Sequence, residues 1–129
     1  MSAPLTGGCL CGAVRYRVAA EPLRVTHCHC AMCRRHGGSA FQTWLSVPAE
    51  RLVFESGAPR LYRASEIAER GHCAACGTPL TFQYLAQRER ISVSAGSLDH
   101  PETVQPTGHV WAHERLPWLP DDGLPQEEV

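Results

Sequence analysis

The 129-residue sequence contains no lysine, because all 12 of its basic side chains are arginine. A mechanism that uses a lysine Schiff base is therefore excluded. The formal net charge is −1, with 13 acidic residues, so there is no excess of charge that would attract nucleic acid or an anionic membrane. The sequence also lacks an apolar run near the ~20 residues that a membrane-spanning helix needs. We therefore expect small molecules as partners, and neither nucleic acid nor a membrane.

Export signals and helix signals are scarce as well. The N-terminal residues lack the basic and apolar blocks of a signal peptide, which predicts a cytoplasmic protein. Glycine and proline interrupt the chain at short intervals, and the stretches between them alternate or are β-branched and aromatic. This pattern predicts a single, mostly antiparallel β domain over residues 1–129, with its core at about 5–118. The acidic, proline-rich residues 119–129 are predicted to form a flexible tail.

Seven stretches have the alternation or composition of strands. They are residues 13–18, 40–47, 51–55, 60–64, 80–84, 91–95 and 109–113. Residues 30–36 and 65–70 are instead predicted to form short helical turns. In the first strand, Val14, Tyr16 and Val18 share one face, which we expect to be buried because side chains alternate along a strand.

The seven cysteines fall into three short clusters. They are Cys9-Leu-Cys11, Cys28-His-Cys30-Ala-Met-Cys33 and Cys73-Ala-Ala-Cys76. Their number is odd and no export signal precedes them, so a complete disulfide framework is not expected. Closely spaced cysteines in a reducing compartment are typical of metal sites.

The third cluster is typical of a zinc knuckle, with Gly77 closing the turn. It supplies two of the four tetrahedral ligands that Zn²⁺ prefers, and Cys9 with Cys11 is the natural second pair. A closed site of four sulfurs is structural and stabilises a small domain directly. Two alternatives remain open: Cys73 and Cys76 form a redox pair, or Cys9 and Cys11 bind the metal of the second cluster.

Cys28, Cys30 and Cys33 provide three thiolates within six residues. Three protein ligands with an open fourth position are typical of a catalytic zinc. Such a centre carries a net charge of −1, which the adjacent Arg34 and Arg35 can offset. The alternative is a closed, purely structural site with a histidine as fourth ligand. The candidates for that ligand are His27, His29 and His36.

Together these motifs resemble the glutathione-dependent formaldehyde-activating enzyme family, whose domain also occurs in centromere protein V. The resemblance runs from Leu5 to Trp118. It rests on Gly8-Cys9-x-Cys11-Gly12-Ala13-Val14-Arg15-Tyr16, Cys28-His29-Cys30-x-x-Cys33-Arg34-Arg35, Cys73-x-x-Cys76-Gly77, Gly96-Ser97-Leu98-Asp99 and Trp118. It implies a β-tent fold of small antiparallel sheets built around zinc, with short helical turns.

The same resemblance implies two zinc ions per chain. The structural zinc would be held by Cys9, Cys11, Cys73 and Cys76, and the catalytic zinc by Cys28, Cys30 and Cys33. The implied activity is that of a carbon–sulfur lyase or synthase, which interconverts glutathione plus formaldehyde with S-hydroxymethylglutathione. The expected partner is a small-molecule thiol or aldehyde. Two other functions remain open: a non-catalytic, zinc-stabilised protein-binding module, and a thiol redox protein.

Several other side chains are candidates for roles near the second cluster. A proton must move in such a reaction, and His36 and His109 are better candidates than His29, which points away from the cysteines in an extended segment. Phe41 and Trp44 are three residues apart on a predicted strand, so one is expected to face a pocket and the other the core. Packing roles are expected for Trp111 and Trp118, and a turn-forming role for Asp99.

Overall fold

The computed structural model describes residues 3–129, and in this range ten strands form two sheets beside one short α-helix. Short 3₁₀ turns connect several of the strands. The elements, in chain order, are β1 (Leu5–Gly8), β2 (Arg15–Val18), β3 (Arg24–Cys28), α1 (Ala31–Gly37), β4 (Gln42–Pro48), β5 (Leu52–Ser56), β6 (Arg60–Arg63), β7 (Ala68–His72), β8 (Pro79–Tyr84), β9 (Arg90–Ser94) and β10 (Gly108–Val110).

The smaller sheet has the strand order β1-β2-β5, and the larger has the order β10-β3-β4-β9-β8-β7-β6. Every pair of strands is antiparallel except β10 with β3, which is parallel. The prediction of a mostly β, mainly antiparallel fold with short helical turns is therefore confirmed. The parallel pair forms because residues 95–107 carry the chain back along the edge of β3 before β10 begins.

The main hydrophobic core lies between the two sheets. From β2 it receives Tyr16 and Val18, which are 1% and 0% exposed, as the alternation predicted. From the larger sheet it receives the fully buried side chains Leu45, Leu80 and Val93. The apolar area removed from water here is the main favourable contribution to the stability of the domain.

Strand β4 contributes one face to this core and the other to a second, smaller cluster. Leu45 and Val47 point into the main core, whereas Trp44 packs with Cys28 and Cys33 on the opposite face. Side chains alternate along a strand, so neighbouring residues serve the two clusters. The three-cysteine cluster therefore lies on the opposite side of β4 from the main hydrophobic core.

One predicted element is wrong. The predicted helical turn at residues 65–70 is a bend followed by strand β7. The sequence Ala-Glu-Arg is favourable for a helix, but β7 pairs with β6 on one side and β8 on the other, and this pairing outweighs local propensity. Gly71 permits the pairing, since a Cβ atom there would lie 2.3 Å from Thr81 Oγ1. Strands β1 and β3 were not predicted either.

Residues 119–129, expected to be a flexible tail, make defined contacts in the structure. Glu127 N donates to His109 O at 2.8 Å, and His109 N donates to Pro125 O at 2.8 Å. Arg24 forms an ion pair with Glu127, and the Asp122 carboxylate accepts a hydrogen bond from His109. The tail therefore runs beside β10, because its backbone satisfies groups on the edge of that strand.

None of the helices within residues 3–129 combines the length and apolar character needed to cross a membrane.

Candidate metal centres

The four-cysteine cluster lies where turns from the two sheets meet. Cys9 and Cys11 follow β1 in the smaller sheet, and Cys73 and Cys76 occupy the turn between β7 and β8. Their four sulfurs lie within 4.8 Å of one another. The Sγ atoms of Cys9 and Cys11 are 3.7 Å apart, and those of Cys11 and Cys73 are 3.8 Å apart. All seven cysteines are free, so this group can hold a metal ion.

Both turns are shaped by a glycine and by amide groups that point at sulfur. Gly12 and Gly77 each have a φ of +82°, a conformation that glycine adopts without steric cost. Val14 N donates to Cys9 Sγ at 3.2 Å, and Cys76 N donates to Cys73 Sγ at 3.4 Å. The amide hydrogen bond from Val14 lowers the pKa of Cys9 and so favours its thiolate form, which is the form that binds metal. The predicted role of Gly77 in the turn is therefore confirmed.

The three-cysteine cluster lies where β3 leads into α1. Cys28 is the last residue of β3, Cys30 is the N-cap of α1, and Cys33 lies in the helix. Cys30 Sγ accepts a hydrogen bond from Cys33 N at 3.3 Å, so one thiol caps the helix that carries the next. The helix is thus what gathers the three sulfurs within 4.8 Å of one another.

No further ligand joins these three thiols. Within the described residues 3–129, no histidine, aspartate or glutamate atom lies within 4.8 Å of all three sulfurs. The three cysteines line one end of a cavity of about 290 Å³. A larger groove of about 620 Å³ lies near the start of β1, but none of the cysteines lines it. The three-cysteine cluster therefore faces the smaller cavity.

Two side chains from other strands donate hydrogen bonds to Cys33. Trp44 Nε1 on β4 and Arg70 Nη2 on β7 each lie 3.4 Å from Cys33 Sγ. Cys33 is 4% exposed and Arg70 is 3% exposed, so the guanidinium and the sulfur meet in a nearly dry environment. Arg70 also stacks over Phe82, at 4.8 Å from its ring centre.

These contacts make the thiols of Cys28 and Cys33 unequal. Hydrogen bonds from Cys28 and Cys30, followed by the Arg70 guanidinium, hold the pKa of Cys33 well below its usual range. The same neighbouring thiols, together with burial, raise the pKa of Cys28. The hydrogen bond from Arg70 thus favours the thiolate form of Cys33.

The source of the neighbouring positive charge was predicted incorrectly. Arg34 and Arg35 follow Cys33 in sequence, but Arg35 is exposed and neither side chain bonds to a thiol or lines the cavity. Helical geometry turns the residue after Cys33 away from its sulfur by about 100°. The charge comes instead from Arg70, which the sequence analysis missed because it stood in the stretch predicted to be helical.

The candidate histidines lie away from the cavity. His29 is 1% exposed, and its Nε2 lies 2.7 Å from His109 Nδ1, whose ring bonds on to Asp122. Burial lowers the pKa of His29 to about 4, so its ring is neutral at pH 7. His36 Nε2 is buried without a hydrogen-bond partner in the described chain. No histidine lines the described part of the cavity, so the expected roles of His36 and His109 in proton transfer are not supported.

Aromatic side chains form the walls of the cavity. The lining includes Trp44, Phe82, Tyr84 and Trp111. Trp44 faces the cavity, as one of the Phe41–Trp44 pair was expected to do, whereas Phe41 packs on the ring of His27 at 4.8 Å. Trp111 has a φ of 54°, which is unusual for a bulky residue and sets the direction of its indole.

The structure gives Trp118 and Asp99 roles that differ from those expected. Trp118 is 69% exposed, so it does not have the expected packing role, because the chain after the last 3₁₀ turn leaves its indole on the surface. Asp99 does not act within its own turn. It accepts hydrogen bonds from Thr6 Oγ1 at 2.7 Å and from both terminal nitrogens of Arg15, and it thereby joins β1 to β2.

Known proteins share this pattern. The model of the glutathione-dependent formaldehyde-activating enzyme family matches residues 4–114. A Halomonas elongata protein, provisionally named a glutathione-dependent formaldehyde-activating enzyme, is 34% identical and covers 95% of this chain and 84% of its own length.

Two further relatives are similar over part of the chain. An uncharacterized lyase of Schizosaccharomyces pombe is 36% identical over 89 residues, or 69% of this chain, and the match spans only 64% of that protein. The crystal structure of a Rhodobacter sphaeroides protein superposes with a TM-score of 0.62 and 28% identity. It covers 78% of this chain and 91% of its own chain.

Proposed function

The chain belongs to the glutathione-dependent formaldehyde-activating enzyme family, and on this premise we propose that it is a zinc-dependent carbon–sulfur lyase. Its substrate would be the adduct of a thiol and a small aldehyde, of the S-hydroxymethylglutathione type. In the reverse direction it would join the two components. The observation that carries the proposal is the cluster of Cys28, Cys30 and Cys33, which faces a cavity and has no fourth ligand among the described residues.

The geometry of the thiols fits zinc. Zn–S bonds of about 2.3 Å in a tetrahedron place neighbouring sulfurs about 3.8 Å apart. The measured separations are 3.7 Å between Cys9 and Cys11 and 3.8 Å between Cys11 and Cys73. Ligand sets made only of thiolates favour soft divalent ions such as zinc. These separations support a closed zinc site at the four cysteines, and the proposal of an open zinc site rests on the Cys28, Cys30 and Cys33 sulfurs lying within 4.8 Å of one another.

The chemistry requires a thiolate, an aldehyde and a proton. When bound to Cys28, Cys30 and Cys33, zinc supplies a Lewis acid with one open position, able to lower the pKa of a thiol. In the joining direction, the thiolate sulfur attacks the carbonyl carbon and a C–S bond forms. The C=O electron pair moves to oxygen, which takes a proton. Cleavage is the reverse, with the proton leaving the hydroxyl oxygen as the C–S bond breaks.

We assign to Tyr84 the role of donating that proton to the oxygen in the joining direction and of taking it back in cleavage. Apart from the cysteines and arginines, it is the one titratable side chain lining the described part of the cavity. Burial, followed by the charge of the three thiols, raises the pKa of Tyr84, so its hydroxyl stays protonated at neutral pH. A protonated phenol can donate a hydrogen bond to the developing oxyanion.

The charges around the cavity suit an anionic thiol. Arg90 lines its described walls and no aspartate or glutamate does, whereas Arg24, which also lines them, is already paired with Glu127. Arginine is the preferred partner of carboxylates, because its planar group can bind both oxygens. Glutathione carries two carboxylates, so its adduct with formaldehyde is the first substrate to test.

The test is an exchange experiment with ¹³C-formaldehyde and glutathione. The adduct also forms without a catalyst, so its interconversion with free formaldehyde is followed by NMR exchange spectroscopy, with and without protein. We expect the exchange rate to rise in proportion to protein concentration, and to return to the spontaneous rate with the Cys28→Ser variant. A protein that holds two zinc ions per chain and yet leaves the rate unchanged for glutathione and for small thiols would contradict the proposal. That result would favour a zinc-stabilised binding module.

A further inference from the structure

Arg70 is a buried cation that has no carboxylate partner among residues 3–129. It is 3% exposed, and its Nε and Nη1 atoms are buried without a hydrogen-bond partner in the described chain. Its remaining polar contact is the 3.4 Å hydrogen bond from Nη2 to Cys33 Sγ. An arginine is almost never fully buried unless a negative group compensates its charge. The group that the guanidinium contacts here is the sulfur of Cys33, one of the three proposed metal ligands, and a metal-bound thiolate carries the negative charge that Arg70 needs.

The contact between Arg70 and Cys33 bears on the charge of the metal centre. A divalent metal with three thiolates carries a charge of 2 − 3 = −1. A fourth thiolate at the open position would make the net charge of the centre −2. With the Arg70 guanidinium counted, the two values become 0 and −1. Repulsion between like charges is strong in a buried site, where little water is present to screen it.

We propose that Arg70 is a positioning residue that acts through Cys33 to let an anionic thiolate occupy the open position of the metal held by Cys28, Cys30 and Cys33. The proposal rests on the proposed function, since it takes a metal with one open position as given. It makes the site selective for thiolates over neutral ligands. Trp44 Nε1 adds a second donor to the same sulfur and spreads its negative charge further, but brings no full charge of its own.

The other arginines near the cavity do not meet this requirement. Arg24 pairs with Glu127, so its charge is already compensated. Arg90 is exposed, and water screens its effect on the metal. Arg34 and Arg35 make no contact with a thiol. Arg70 is the arginine that combines burial with direct contact to a metal-binding sulfur.

The experiment compares an anionic with a neutral ligand. The protein is loaded with Co²⁺, and the sulfur-to-cobalt charge-transfer band is recorded during titration with 2-mercaptoethanol and, separately, with imidazole. The four-cysteine site gives a constant background, because it has no open position. The variants are Arg70→Gln, which removes the charge, and Arg70→Lys, which keeps it. Arg63→Gln, on the exposed edge strand β6, makes the same change away from the site. Circular dichroism and metal per chain are measured for each.

We expect Arg70→Gln to weaken the binding of 2-mercaptoethanol by at least about tenfold and to change that of imidazole by less than about threefold. Arg70→Lys should keep the ratio of the two affinities within about threefold of the wild type, and Arg63→Gln should not change it. If the Arg70→Gln variant loses the metal or the fold, the test rests on the Arg70→Lys variant alone, through the ratio of its affinities for 2-mercaptoethanol and imidazole.

Two results would overturn the role of Arg70 while leaving the proposed function intact. One is a wild type that binds the thiol together with an Arg70→Gln variant that binds it equally well. The other is an Arg70→Lys variant whose ratio falls more than tenfold, because geometry rather than charge would then be responsible. A wild type that binds no thiol at all would instead contradict the proposed function, and Arg70 would lose its role with it.

Discussion

The two cysteine clusters are made of the same side chain but are built in opposite ways. The four-cysteine cluster draws Cys9 and Cys11 from the smaller sheet and Cys73 and Cys76 from the larger, so a metal there would join segments more than 60 residues apart. The three-cysteine cluster comes from one segment of six residues and joins nothing distant. Its side-chain donors to sulfur come instead from β4 and β7, and it opens on a cavity.

This difference assigns different tasks to the two sites. A metal that links distant segments lowers the entropy of the unfolded chain, and its binding energy becomes folding energy. A metal held by one short segment contributes little to the closure of the fold, and its open side is free for chemistry. The four predictions below test this contrast, beginning with the largest expected effect.

The variant Cys73→Ser should remove one zinc ion and unfold most of the chain at 25 °C. Structural zinc contributes roughly 10–16 kcal/mol in small zinc domains, which is comparable with the whole stability of a domain of about 5–15 kcal/mol. Circular dichroism and zinc per chain measure the result. A folded Cys73→Ser protein with an unchanged unfolding temperature would show that this cluster is not what joins the two sheets.

The variant Cys28→Ser should also remove one zinc ion but leave the fold intact. We expect its unfolding temperature to lie within about 5 °C of the wild type, which corresponds to roughly 1 kcal/mol for a domain of this size. Exchange between formaldehyde and the thiol adduct should fall to the spontaneous rate. Unfolding as complete as that of Cys73→Ser would mean that the two clusters do not differ in task.

The variant Tyr84→Phe tests the cavity without touching a ligand. The loss of the phenol should lower kcat about 100-fold, the lower end of what proton transfer by a positioned side chain contributes, and should change KM little. Both zinc ions should stay bound. The matched control is Tyr62→Phe on β6, where the residue is 62% exposed, and it should behave as the wild type. Equal losses in the two variants would remove Tyr84 from the mechanism.

The variant Trp44→Phe should have the smallest effect. It keeps the aromatic packing against Phe82 but removes the Nε1–H donor to Cys33, so we expect a loss of about 1 kcal/mol in the free energy of unfolding. Denaturant titration measures this value. The exposed Trp118, changed in the same way, provides the reference and should show no loss. Identical curves for the two variants would argue against an energetic role for the hydrogen bond to Cys33.

The sequence predicted what depends on short spacing and left out what depends on distant pairing. The turn at Cys73–Gly77, the buried face of Val14 to Val18 and the helical turn that carries Cys33 are local patterns, and the structure contains all three. The contact of Arg70 with Cys33 joins residues 37 positions apart, and its local sequence favoured a helix. Only the pairing of β7 with β6 and β8 turns that side chain towards the sulfur.

The tail shows the same limit. Acidic residues with proline and glycine have little tendency to fold alone, which is why residues 119–129 were expected to be flexible. Their contacts arise from the unpaired edge of β10 and from His109 and Arg24, none of which is near in sequence. The cytoplasmic location and the single domain over residues 1–129 stay predictions.

The most direct test of the contrast between the clusters is zinc per chain before and after brief treatment with a chelator, with circular dichroism recorded on the same samples. The account predicts two zinc ions per chain at the start. One should leave quickly with the spectrum unchanged, and the Cys28→Ser variant, which begins with one, should lose none in the same time. Loss of both ions together, accompanied by loss of the fold, would contradict the assignment of one closed structural site and one open reactive site.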